Sequence, residues 1–102
     1  MARYIVFYAT TGAMRAELAG LPPERAAAGM ELWMRWAGQV ADRLVDLGSP
    51  LDAEGEADVQ VSGYSILEAD SQDELDCLLE DHPHRAEGGT ISTQRFSEPP
   101  GT

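Results

Sequence analysis

Both histidines of the chain fall in one short stretch, LLEDHPHRAEGG, as His82 and His84 on either side of Pro83. Imidazole is the side chain that ordinarily takes and gives protons near neutral pH, so this corner is the natural candidate for acid–base chemistry. His82 falls in phase with Leu75, Leu78 and Leu79 at i, i+3, i+4 and i+7 of one helix face, which puts it on the buried side. A low-dielectric pocket there could tune it as a general acid or base. The competing reading is structural: Pro83 ends the helix at His82, and an imidazolium is favoured beside the exposed carbonyls of a helix C-terminus. Metal ligation is not expected, because His82, His84 and Asp81 offer too few ligands around a rigid proline.

Other chemistries are excluded by composition. The chain has 102 residues, 18 acidic and 7 basic, for a formal net charge of -11. That balance opposes attraction to nucleic acid or anionic lipid. All basic residues are arginine, so neither a Schiff-base lysine nor a phosphate-loop lysine exists. The single cysteine, Cys77, cannot form an internal disulfide and lies opposite the leucine face of its helix, away from any sequence-near base. No dinucleotide fingerprint, nucleophile elbow or internal repeat occurs, and no cofactor is called for. The N-terminus lacks the features of a signal peptide and no run is long enough to cross a membrane, which places the expected protein in the cytoplasm. The length suits one domain, residues 1–97, followed by a loose tail, 98–102.

The elements that must position these residues follow from periodicity. RYIVFY (Arg3 to Tyr8) is a β-branched and aromatic run ended by ATTG, which predicts a strand with Tyr4, Val6 and Tyr8 on one face and Ile5 and Phe7 on the other. Both faces are apolar, so both need cover, and a second subunit is the natural cover for one of them. LPPERAAAGMELWMRWAGQVADRLVDLG starts with prolines suited to a first turn and ends at Gly48, predicting a helix from Pro23 to Leu47. Trp33 and Trp36 lie in its wide apolar arc, as core residues or as a surface on which a ligand stacks.

The acidic segment Gly48 to Asp58 reads as a loop with at most a short strand around Pro50 to Ala53. It lacks the spacing of a calcium loop. VQVSGYSILEA predicts a second clear strand whose alternation slips at Gly63, as a bulge would produce, and that bulge could aim Tyr64. SQDELDCLLEDHP opens with Ser71 and Glu74 in a capping box and predicts a short helix. GGTISTQRF predicts a last strand, whose Thr90, Ser92 and Gln94 suit an edge or a polar pocket wall. The order is β, long α, weak β, β, short α, β. This is the βαββαβ pattern of a ferredoxin-like α+β domain, a four-stranded antiparallel sheet with two helices on one face.

On RYIVFY, MELWMRWAGQVADRLVDLGSPL, GYSILEADSQDELDCLLEDHP and GGTISTQRF, the chain resembles the YCII-related family, notably its actinobacterial branch. The resemblance implies a bacterial homodimer, a dimeric α+β barrel in which two sheets face one another, with a fold similar to muconolactone isomerase. It also implies a link to dehydrochlorination of chlorinated aromatics and a catalytic His/Asp pair. The family's aspartate before a proline is replaced here by His82 before Pro83, and PPERAAAGMELW holds no histidine, so the inherited pair is absent. The expected catalytic set is therefore His82 with Asp52 and Tyr64, and the expected substrate-binding set is Tyr8, Trp33 and Trp36. The expected function is a small cofactor-free isomerase, lyase or cyclase. It would move a proton on an aromatic or polyketide-like molecule between the sheet and the long helix. The alternative is a binding or assembly module of the same fold.

Overall fold

The computed structural model describes residues 1–97; the expected tail at 98–102 lies outside the described residues. Strand β1 spans Ala2–Thr10 and is followed by helices α1 (Gly12–Ala19) and α2 (Pro23–Gln39), a 3₁₀ turn at Ala41–Arg43 and strand β2 (Leu44–Asp46). Strand β3 (Gln60–Ala69), helices α3 (Gln72–Leu79) and α4 (Pro83–Ala86) and strand β4 (Thr90–Arg95) complete the order. The four strands form one antiparallel sheet in the order β2-β3-β1-β4. This is the ferredoxin-like α+β arrangement that the order of elements predicted.

Alternation divides the sheet into two faces. Tyr4, Val6 and Tyr8 of β1 and Leu67 and Ala69 of β3 are buried with Trp36 and Ala37 of α2, Val40 at its C-cap, and Leu75 and Leu79 of α3. Leu67, Leu75 and Leu79 are essentially inaccessible, and each contributes about 2 kcal/mol through removal of its side chain from water. The opposite face pairs Ile5 with Ile66 and Phe7 with Tyr64. These four side chains are only half-buried.

Three boundaries differ from the periodicity. Helix α2 stops at Gln39, not Leu47, because Leu44–Asp46 pairs with β3, Leu44 standing opposite Leu67. The run RLVDL fits a helical arc in phase, but its branched residues fit an edge strand as well, and pairing with β3 decides. The strand expected at Pro50 to Ala53 is reduced to a single bridge, Pro50 to Gly63. Helix α1 was hidden in a segment that reads as a breaker: Thr11 caps it, its hydroxyl accepting from the backbone N–H of Met14. The register shift on β3 does occur, between Tyr8 and Ala9 on β1, with Ser62 as the extra residue next to Gly63.

Candidate functional site

A cleft of about 500 Å³ opens between the sheet and helices α1 and α2. Its floor is aromatic: Tyr8 from β1, Trp33 from α2 and His84 from α4. The Tyr8 and Trp33 rings meet edge to face at 4.8 Å, and the Tyr8 and His84 centroids lie 5.4 Å apart. Leu18 of α1 and Met30 and Met34 of α2 form an apolar opening. The far wall is the turn Leu47–Pro50 and the bulged stretch of β3 at Ser62 and Gly63.

The protons of the floor are fixed by backbone carbonyls, which only accept. Ser65 donates its hydroxyl hydrogen to the Leu47 carbonyl at 2.6 Å, so its oxygen accepts the Tyr8 hydroxyl at 2.9 Å. Burial pushes the Tyr8 phenol up to about 12, so it stays protonated, its hydrogen is committed, and its lone pairs are what remains to offer. His84 Nε2 lies 2.8 Å from the Ala9 carbonyl and therefore carries the hydrogen. In the neutral ring, Nδ1 is then the nitrogen with the free electron pair. Gly89 makes room for this ring, since a Cβ there would stand 2.1 Å from His84 Nε2.

His82, the expected acid–base residue, does not line the cleft. Pro83 forces the residue before it out of helical geometry, and His82 is extended, so α3 ends earlier and His82 becomes the cap of α4. Its Nδ1 accepts the backbone N–H of His84 at 2.9 Å. The ring sits among Trp36 at 4.3 Å, Trp33 at 4.5 Å and Tyr8 at 4.8 Å, with Nε2 buried and without a hydrogen-bond partner among the described residues. Desolvation first, then the neighbouring His84 and Arg85, lower its pKa to about 3. A group held neutral in this way supports the floor from behind.

The remaining expected residues divide. Tyr8 and Trp33 face the cleft, whereas Trp36 is buried in the core, its indole N–H donating to the Leu78 carbonyl at 2.9 Å. Tyr64 borders the cleft but pairs with Phe7, so its side chain alternates to the other face of the sheet. Asp52 is exposed and outside the cleft. His84 was missed because helical phase favours His82; the signal that could have found it is the proline, which starts a new turn and moves the phase by two residues.

A ferredoxin-like sheet with an aromatic-floored cleft beside its first long helix is thus the class of molecule defined here. Among solved structures it is similar to 5-chloro-2-hydroxyhydroquinone dehydrochlorinase from Burkholderia phenoliruptrix AC1100, in complex with 2,5-dihydroxybenzoquinone. The TM-score is 0.59 at 18% sequence identity, covering 97% of this chain and 96% of that one. At that identity the likeness shows the fold. No family model matches the chain, and no curated protein does. No helix of the described residues is long and apolar enough to cross a membrane.

Proposed function

We propose that the protein is a cofactor-free enzyme of isomerase, lyase or cyclase type that transfers a proton on an aromatic or polyketide-like molecule bound in the cleft. The observation that carries this reading is the His84 ring in the cleft floor, its Nε2–H anchored to the Ala9 carbonyl. That anchor orients the ring and leaves Nδ1 to take a proton from a substrate hydroxyl or acidic C–H, while the carbonyl stabilises the imidazolium formed. The half-buried Trp33 ring and the buried Tyr8 ring hold the substrate plane and exclude water.

The test is hydrogen exchange of ring C–H positions of resorcinol-type 1,3-diols in deuterated water, followed by NMR. Wild type is expected to accelerate exchange over buffer. His84→Gln, whose amide can keep the Ala9 contact but is no base, is expected to lose about 10²-fold of that acceleration. No acceleration by wild type, with the Trp33 indole signal still moving on ligand addition, contradicts catalysis and favours a binding module of the same fold.

The same reading places a second copy over the open face of the sheet, where Ile5, Phe7, Tyr64 and Ile66 are half-buried in the single chain. Covering that face is what completes burial on both sides of β1. Sedimentation of wild type is expected to give a dimer at micromolar concentration, and Phe7→Arg a monomer. A monomeric wild type contradicts it.

A further inference from the structure

We infer that the ligand of this cleft is a hydroxylated molecule of at least two fused rings, or one ring bearing an apolar chain, bound hydroxyl-first against Tyr8 and His84. The inference rests on the reading of the cleft as a proton-transfer site and narrows its substrate class.

Size is the first ground. A cavity of about 150 Å³ suffices for benzene, and the cleft offers about 500 Å³. A single ring resting on Trp33 would leave most of that space, and the apolar opening, in contact with water. Leu18, Met30 and Met34 are all substantially exposed in the free protein, at 41%, 61% and 53%. Three large apolar side chains around one opening lose water when a hydrophobic extension of the ligand lies between them, and methionine adapts to varied shapes.

Hydrogen-bond polarity is the second ground. The two innermost polar groups have both spent their hydrogens on the protein: Tyr8 on Ser65, which is itself anchored on Leu47, and His84 on Ala9. Each therefore accepts. A ligand whose inner end carries only a carbonyl or ether oxygen would face lone pairs with lone pairs and leave buried acceptors unpaired. A hydroxyl supplies the missing hydrogen. Of the hydroxyls at the far wall, Ser49 belongs to the turn, and Thr10 and Ser62 bond each other and keep one hydrogen between them. That hydrogen can serve a more distant oxygen of the ligand, not the inner end.

Three probes separate these grounds from the parent reading: phenol, 2-naphthol and 2-methoxynaphthalene, titrated into the full chain while the Trp33 indole and His84 imidazole signals are followed by NMR. The second ring is expected to tighten binding about tenfold, from the apolar area it removes from water. Methylation of the hydroxyl is expected to weaken binding about tenfold, as loss of a hydrogen bond to a buried acceptor does. In Tyr8→Phe the difference between 2-naphthol and its methyl ether is expected to shrink, with the affinity for the ether little changed. Phenol binding as tightly as 2-naphthol, or the ether binding as tightly as the naphthol, overturns the inference while leaving the cleft as the site. Signals at Trp33 and His84 that stay still with all three probes overturn both.

Discussion

Gly48→Ala is expected to destabilise the protein by at least about 3 kcal/mol, a large share of what a domain of this size possesses. Gly48 has φ +90, in the left-handed region, and an added Cβ would stand 1.6 Å from the Tyr64 carbonyl oxygen. The backbone conformation alone costs an alanine about 1–2 kcal/mol. The carbonyl belongs to β3 and cannot rotate aside, so the turn itself must move away. That turn follows β2 and carries the Leu47 carbonyl on which Ser65 and then Tyr8 depend. Gly55→Ala is the control: its φ is +74, yet nothing lies within 4 Å of the added Cβ. Urea unfolding should show a loss of only about 1 kcal/mol for Gly55→Ala, the conformational part alone. Equal losses for the two variants contradict the close approach of turn and strand.

The second large effect is on acid stability and comes from His82. Its folded pKa, about 3, lies below the 6.5 of the unfolded chain. Above pH 6.5 the ring is neutral in both states, and its burial carries no protonation penalty. As pH falls from 6.5 towards 3, the unfolded chain takes up a proton that the folded chain refuses, so stability is lost by about 1.4 kcal/mol per pH unit. Between pH 7.5 and 5.0 the loss assigned to this residue is about 2 kcal/mol. The charged neighbours that oppose the proton are His84 and Arg85, and the aromatic rings of Tyr8, Trp33 and Trp36 keep water out. Urea unfolding at the two pH values isolates the effect by difference from His82→Asn, in which an amide oxygen can still cap α4. The variant is expected to be less stable at pH 7.5 and to lose about 2 kcal/mol less on acidification. Parallel losses in wild type and variant contradict a buried neutral His82.

Much of the architecture is readable from local pattern. The alternation of RYIVFY, the capping box at Ser71 and Glu74, and the slip beside Gly63 each predict an element that the structure contains. What escapes is decided by partners distant in sequence. Residues 44–46 read as helix until Leu67 is seen beside Leu44. Of the candidate site, Tyr8 and Trp33 share the cleft because strand and helix phase place them on facing sides of one layer. His82 and His84 could not be ranked by helical phase, since Pro83 breaks that phase between them. The commitment of the Tyr8 hydrogen is also invisible in sequence, because it depends on the carbonyl of Leu47, 39 residues away along the chain, through Ser65.

The most direct test of His84, rather than His82, as the working imidazole is a long-range proton–nitrogen NMR spectrum of both rings at pH 8.5, with and without 2-naphthol. Both rings are expected to carry a hydrogen on Nε2: His82 because its Nδ1 accepts from the His84 backbone, His84 because its Nε2 donates to Ala9. Ligand addition is expected to move the His84 Nδ1 resonance and to shift His82 far less. A hydrogen on Nδ1 of His84, or ligand shifts confined to His82, would contradict the account.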